Sequence, residues 1–551
     1  MSSLPPKRIL CHAPSTGALE RLSKAVLAAR ESEPTAAALE WHFHSAIESI
    51  SADLAASYVN LVVFDLHGVS SADLAQHAGA LFDCLDRLDR GEDIEARFAF
   101  DRILVLLPID SSADIDELVL RLGARGVRAV CRLDGALGDA AFGATLTAAV
   151  HALLVARRKG RRALCASGGG ITGIYFELGA LKCLDDALGT PGLEAFDMYF
   201  GISAGAVVTG PLSVGYTIDD AMAAIAGVPG GRMPPLDLRL FRLGHVDAPS
   251  FTRRAALAAR TTAAAVRSAF TGRRHDRGES LLFDYAGLIA APFRADRFER
   301  MLRDMLSAPG TTNDFRRLPR PLYIGATDQD ERSHVLFGDE THDHVPISLA
   351  IQASLSINPA FSATRIDGRY YEDGAITRTS NFIEAIRRDA TLVLVVDPFV
   401  PYVTREPGFA DRRGMLYNID QDVRTISYTR YEAARSWVLR QHPEVSAYTF
   451  VPGNRARRLL SVNPMDHRPF LEIWRGAYLS TAARLEAIEH RFAGDLRAHG
   501  LGFDLAPVRA VVERLEATET PSLADFFPNG RVTPKRTPFC LEATSAPPGR
   551  P

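Results

Sequence analysis

Phe196-Asp197-Met198-Tyr199-Phe200-Gly201-Ile202-Ser203-Ala204-Gly205-Ala206 is the stretch on which the reading of this chain turns. Its first half is apolar and aromatic, the composition of a buried strand. Its second half is small residues that suit a helix packed closely against a sheet. Between them stands G-x-S-x-G, with Gly201 and Gly205 on either side of Ser203. A serine at a sharp strand-to-helix turn projects its hydroxyl into a cleft at a helix N-terminus, where developing negative charge is favoured. Glycines on both sides let the backbone bend without side-chain clashes. A plain Gly/Ser turn that only reverses the chain would leave the same five residues.

About thirty residues upstream lies a second strand–turn–helix unit. Ala163–Ala166 reads as a strand, Ser167-Gly168-Gly169-Gly170 as its turn, and about Gly173–Leu188 as a helix. Three glycines there expose backbone N–H groups that can bind an oxyanion or a phosphate. A P-loop would need Gly-Lys-Ser/Thr at its end, and the chain offers Thr172-Gly173-Ile174. Gly168–Gly173 does satisfy the dinucleotide pattern G-x-G-x-x-G, so the turn alone leaves a nucleotide site open. The serine turn that follows shifts the balance to acyl transfer.

Downstream, Tyr370-Tyr371-Glu372-Asp373-Gly374-Ala375 follows a strand pair expected around Gly368. Asp beside Gly is ordinary turn chemistry. It is also a place for a carboxylate that takes a proton from a serine hydroxyl. Taken in order, these three elements resemble the patatin-like phospholipase family, whose pattern is a glycine-rich oxyanion turn, then G-x-S-x-G, then D-G-G or D-G-A. Ile324-Gly325-Ala326-Thr327-Asp328 resembles the core strand of that family, and Ala353–Phe361 its A-S-x-x-x-x-P-x-F segment. The resemblance covers residues 163–400. It implies Ser203 as nucleophile, Asp373 as base, and Gly168, Gly169 and Gly170 as oxyanion turn. It implies a serine acyl hydrolase that cleaves carboxylic esters of lipids, of the phospholipase A or lysophospholipase kind, with no metal or organic cofactor. Thr172 stands where the family commonly carries Arg or Lys, so a cation that would orient a phosphate is missing.

Working outward, residues 1–158 alternate short apolar runs with helical segments, the pattern of a parallel sheet covered by helices. Five strands, near Arg8–Cys11, Leu39–Phe43, Val59–Asp65, Arg102–Leu107 and Val127–Cys131, suit a doubly wound, flavodoxin- or Rossmann-like domain of unknown ligand. The expected architecture is therefore α/β: a patatin-like three-layer core over 160–400, this N-terminal doubly wound parallel-sheet domain, and a helical C-terminal extension over 401–551 with a loose tail. Within the core, 226–300 reads as an insertion or lid. Phe251, Phe270 and the arginines between them are a candidate contact with a membrane surface.

The chain has 551 residues, 47% hydrophobic and 23% charged, with a formal net charge of −3. That balance argues against disorder and against a nucleic-acid partner. Six scattered cysteines without C-x-x-C spacing suit a reducing compartment better than a disulfide framework or a zinc site. No signal peptide is evident in the opening residues, and no apolar run reaches the ~18 residues of a membrane span. The expectation is a cytoplasmic protein acting on a lipid or ester substrate, peripheral to the inner membrane surface.

Other readings stay in view. A Ser–His–Asp hydrolase would draw its histidine from His442, His467, His490 or His499, all after Asp373. Asp65, ending Val-Val-Phe-Asp, resembles the phosphate-accepting Asp of receiver domains, although His12-Ala13-Pro14 lacks the acidic pair that would bind magnesium. Such a regulatory module would make the N-terminal half dominant. A silent scaffold is the third reading. The cluster His342-Asp343-His344 reads as solvent-facing polar residues rather than metal ligands, and the basic run Arg157–Arg162 as a linker.

Overall fold

The computed structural model describes residues 7–527 except 33–38, 91–99, 110–111, 157–159, 229–230, most of 239–294, and positions 359, 443, 463 and 464. The chain falls into two compact units. One comprises Met1–Gly160, Arg435–Ala447 and Ile488–Gly500; the other comprises Arg161–Ala434, Tyr448–Ala487 and Leu501–Pro551.

The first unit alternates strand and helix throughout: β1 (Lys7–His12), α1 (Thr16–Ser32), β2 (Leu39–His44), α2 (Glu48–Ala56), β3 (Leu61–Asp65), α3 (Ser71–Arg90), β4 (Ile103–Pro108), α4 (Ala113–Ala124), β5 (Ala129–Leu133) and α5 (Asp139–Ala156). The strands are all parallel, in the order β2-β1-β3-β4-β5. The continuous apolar run of β3 follows from burial of both sheet faces. Val62 and Phe64 enter a core with Ile50, Leu81, Leu85 and Leu118. Leu61 and Val63 point the other way, to Leu22, Val26, Phe142 and Leu146. This is the doubly wound sheet the alternation predicts, with its switch point between β1 and β3. The C-terminal helix Glu489–Ala498 completes the unit. Its buried Asp495 Oδ1 accepts hydrogen bonds from the Tyr58 hydroxyl and from Arg102, each at 3.0 Å.

The second unit is built on an eight-stranded mixed sheet. It opens with β6 (Arg161–Ala166), α6 (Gly170–Leu188), β7 (Met198–Ile202), α7 (Ala204–Ser213) and α8 (Ile218–Ile225). Then come β8 (Leu322–Asp328), β9 (His334–Phe337), the helix Ile347–Ser354, β10 (Thr364–Ile366), β11 (Arg369–Asp373) and β12 (Ala390–Val396). The order is β10-β11-β8-β7-β6-β12-β13, with β9 on β8; β6, β7, β8 and β12 run parallel. β13 (Ser446–Phe450) is a strand inside a region where the sequence led us to expect only helices. The pattern over Glu472–Phe492 predicts one helix; the chain forms two, Phe470–Ala487 and Glu489–Ala498.

Helix α6 is buried from Ile171 to Leu188, an unusual position for a helix carrying Glu177, Lys182, Asp185 and Asp186. Lys182 compensates by pairing with Asp186 at 2.9 Å and Asp219 at 3.2 Å. The Tyr478 hydroxyl adds a hydrogen bond to Asp186 at 2.8 Å. Breaking one partner of such a network leaves a buried charge and costs about 3–5 kcal/mol. The network fixes the helix whose first turn carries the glycine-rich segment. Among the described residues no helix is long and apolar enough to cross a membrane.

Candidate active site

Three chain segments converge at the carboxyl ends of β6 and β7. Ser203 follows β7 directly and caps α7 with φ 52° and ψ −116°. A non-glycine residue in that region costs about 1–3 kcal/mol and persists only where its surroundings over-determine it. Here the Ser203 N–H donates to Ser354 Oγ at 2.7 Å, and the Ser354 hydroxyl donates to the Gly325 carbonyl at 2.6 Å. The flanking glycines are sterically required. A Cβ on Gly205 would fall on the Ala166 carbonyl, and one on Gly201 on Thr209 Oγ1 and Ala206.

Asp373 ends β11 and is fixed through its own backbone. Its N–H donates to the Ser356 carbonyl at 3.1 Å, and its carbonyl accepts from Thr327 Oγ1 at 3.0 Å. Its Oδ1 accepts from the Ala375 N–H at 2.8 Å, and the Ser203 hydroxyl donates to the same carboxylate. Burial pushes this carboxyl up to about 6. The hydrogen bonds from Ser203 and Ala375 hold it back, and the charge of neighbouring Glu372 lifts it further. So the structure unites the serine and the aspartate, 170 positions apart in the chain, in one hydrogen bond.

The glycine turn closes over this pair. A Cβ built on Gly168 would lie 3.4 Å from Ser203 Cβ, 3.4 Å from Ala375 Cβ and 3.9 Å from Ser203 Oγ. The Ser167 carbonyl accepts from Gly205 N–H at 2.9 Å, tying the turn to the serine elbow. Gly170 has φ +69°, a conformation that favours glycine. Among the described residues, the N–H groups of Gly168 and Gly169 have no acceptor, so they remain available to an incoming oxygen. Thr172 is buried in α6.

Several supporting residues were not singled out from sequence. Ser354 and Ser356 lie two apart and hold the backbone N–H groups of Ser203 and Asp373 respectively. His334, on β9, is half-buried, with Nδ1 2.9 Å from Thr377 Oγ1 and Nε2 3.0 Å from Asn381 Oδ1. Burial lowers its pKa to about 4, so it is neutral at ordinary pH. Behind the glycine turn, Asp397 Oδ1 accepts from Phe399 N–H at 2.9 Å. That shapes the Asp397–Phe399 loop so that Pro398 abuts Gly169 and Gly173. Arg424, from the long helix Met415–Gln441, reaches the Pro398 carbonyl at 3.4 Å. These partners are contacts through space, and no local pattern announces them.

The rival histidines are divided between the two units. In the second unit, the His467 carbonyl accepts from Tyr175. His442, His490 and His499 belong to the first unit. There His442 pairs with Glu444 at 3.1 Å, and His499 Nδ1 sits 2.8 Å from the Asp495 carbonyl. In the H-D-H segment, His342 pairs with Asp339 and His344 with Asp367. Asp65, at the end of β3, is buried and accepts from the His67 N–H at 3.1 Å. The His67 ring nitrogen Nδ1 lies 2.5 Å from the same Oδ1, and Arg21 meets the ring's other nitrogen, Nε2. Phe251, Phe270 and most residues between them lie outside the described residues, as do residues 157–159 of the basic run.

Comparison with known proteins gives one family model for this segment. Residues 164–386 match the family model described as patatin-like phospholipase. A stretch of 62 residues is 40% identical to the cUMP-AMP-activated phospholipase of Escherichia coli, covering 11% of this chain and 19% of that protein. The chain thus matches about a fifth of that relative's length. Among solved structures, VipD from Legionella pneumophila is 15% identical over 67% of this chain and 83% of its own, with a TM-score of 0.24. Full-length ExoU in complex with SpcU, from Pseudomonas aeruginosa, is 14% identical over 67% and 70%, with a TM-score of 0.23. Likenesses that loose carry no argument about the site. The family match and the strand–turn–helix geometry agree: residues 164–386 form a patatin-like phospholipase domain.

Proposed function

We propose that this protein hydrolyses carboxylic esters of lipids through a Ser203–Asp373 pair, in the manner of a phospholipase A or lysophospholipase. One observation carries the reading. A serine on a strained elbow hydrogen-bonds to a fully buried carboxylate, beside glycine N–H groups with no acceptor. Asp373 accepts the hydroxyl proton as Ser203 Oγ attacks the ester carbonyl. The N–H groups of Gly168, Gly169 and Gly170 receive the tetrahedral oxyanion, each such donor being worth about 3–4 kcal/mol. The protonated Asp373 returns its proton to the departing alcohol. Water, activated by the same carboxylate, then releases the acyl chain and regenerates the pair. The carboxyl value near 6 suits this exchange, because the group is ionised at neutral pH yet still a competent acid once protonated.

The test is release of fatty acid from phospholipid and lysophospholipid, alongside turnover of a soluble short-chain ester, for wild type, Ser203→Ala and Asp373→Asn. Both variants should fall to background on every substrate. Turnover by Ser203→Ala equal to wild type removes the proposal. The first unit supports a separate role as a binding or regulatory module, whose ligand the geometry leaves open.

A further inference from the structure

The helix Met415–Gln441 has two faces with different tasks over its span in the second unit. Its inner face holds the site. Arg424 reaches the Pro398 carbonyl, and the Ser427 carbonyl accepts from Thr379 Oγ1 at 3.0 Å. From the flank, Arg430 donates to the carbonyls of Ile376 and Ala375 at 2.8 and 3.0 Å, just past Asp373. Its outer face carries Met415, Ile419, Val423 and Ile426, which are 72%, 50%, 47% and 64% exposed. Spaced i, i+4, i+8 and i+11, they form one narrow stripe at about 100° per residue. A row of large aliphatics left in water on a monomer marks an interaction surface.

The stripe continues towards the site and is edged by cations. Ile376, three residues after Asp373, is itself partly exposed, and Val403 is exposed near the start of the helix. Arg405, Arg412, Arg413 and Arg430 are exposed around it. Among the described residues only Arg412 is taken up by a carboxylate, that of Glu406. Arg413 lies over the rings of Phe409 and Tyr417, at 4.5 and 5.3 Å from their centroids. Asp411 and Asp422 are the exposed acids beside it.

Aliphatics flanked by guanidinium groups and by aromatic rings match the chemistry of an interface helix lying on anionic lipid. We infer that the outer face of Met415–Ile426 rests on an anionic phospholipid bilayer and brings the Ser203–Asp373 site to the lipid surface. This rests on the lipid-ester reading above and names the surface that serves it. It also places lipid contact on a segment other than Phe251–Phe270.

The experiment is flotation of the full-length protein with phosphatidylcholine vesicles, with and without phosphatidylglycerol. Soluble-ester turnover and lipid-free sedimentation are measured in parallel. Wild type should float better with phosphatidylglycerol, and less well at raised salt. The double variant I419N/I426N should lose about tenfold or more of vesicle binding while soluble-ester turnover stays unchanged. Asp422→Asn, removing an acid at the edge of the stripe, should strengthen binding about two- to five-fold at low salt. Ser203→Ala should float like wild type, so loss of the hydrolase reading and loss of the docking reading are separable. Equal flotation of wild type and I419N/I426N overturns the inference. So does a wild-type dimer that I419N/I426N converts to monomer in lipid-free buffer, since the occupant would then be a second copy of the chain.

Discussion

Two buried aspartates each end a β-strand in this molecule, one in a parallel sheet and one on an antiparallel strand of a mixed sheet, and their surroundings differ in what each acid is paired with. Asp65 closes β3 in the first unit, beside that sheet's switch point, and is met by the N–H and ring of His67 with Arg21 behind it. Asp373 closes β11 in the second unit and is met by a serine hydroxyl on a strained turn, with acceptor-free glycine amides alongside. In the first unit the acid, the imidazole and the guanidinium satisfy one another. In the second, the carboxylate accepts from the Ser203 hydroxyl, and burial lifts its pKa towards neutrality. A carboxylate at a strand end is therefore no signature by itself; what it is paired with makes it a base.

The comparison is broken most directly by exchanging each acid for its amide. Asp373→Asn and Ser203→Ala should each lower ester turnover by about 10⁴-fold or more, measured as initial rates on a soluble ester. Asp65→Asn should leave that rate within about twofold, because a surface or structural change away from the chemistry has little reach. A comparable loss in Asp65→Asn would mean the first unit governs the reaction.

Glycines sharpen the contrast with a smaller effect. A Cβ on Gly169 would lie 2.7 Å from Pro398 Cγ and 2.9 Å from Gly173 Cα, so Gly169→Ala must shift the turn. Displacing an oxyanion donor costs roughly 10²–10³ in kcat, with KM little changed. Gly68, next to His67, has room: a Cβ there lies 3.5 Å from Arg21 Nη2, ordinary contact. Gly68→Ala should leave kcat unaltered, and the kcat and KM of both variants decide the matter.

Titration comes next. Asp373 must be ionised to accept a proton, so kcat/KM should rise about tenfold per pH unit below 6 and level above it. Stability runs the opposite way. With its folded value near 6 against about 3.8 unfolded, the group contributes stability that is complete below about 3.8 and lost as pH rises through 6. Asp373→Asn should therefore be the more stable protein at pH 8, by up to about 3 kcal/mol, in denaturant melts. Equal stability at pH 5 and pH 8 for both proteins would place the carboxyl in the ordinary range.

Much of this was legible in the residues because it is local. The strand-like apolar runs of the first unit, the Gly201–Gly205 elbow and the Gly168–Gly170 turn are set by a few adjacent residues and their backbone freedom. The strand pair around Gly368 fell where the pattern placed it. What escaped is non-local. Ser354 stands in the Ala353–Phe361 segment, but its role is unreadable until Ser203 N–H arrives from 151 positions away. His334 and Asp397 matter through hydrogen bonds that no spacing encodes. β13 is five residues between helices, its status as a strand conferred by β12. The break between Ala487 and Glu489 has no Gly or Pro to announce it. It coincides with the point where the chain passes from one compact unit to the other. The apolar face of Met415–Ile426 was also missed, because a helical stripe reads as core until the structure leaves it bare.

The central claim is that a carboxylate, with no histidine, activates Ser203. The direct measurement is the rate of covalent labelling by a fluorophosphonate ester across pH, with the adduct located by peptide mapping. The account predicts an adduct on Ser203, a rate that falls with a midpoint near 6, and near-complete loss of labelling in Asp373→Asn. Wild-type labelling of Ser203 in Asp373→Asn, or an adduct on another serine, would contradict it.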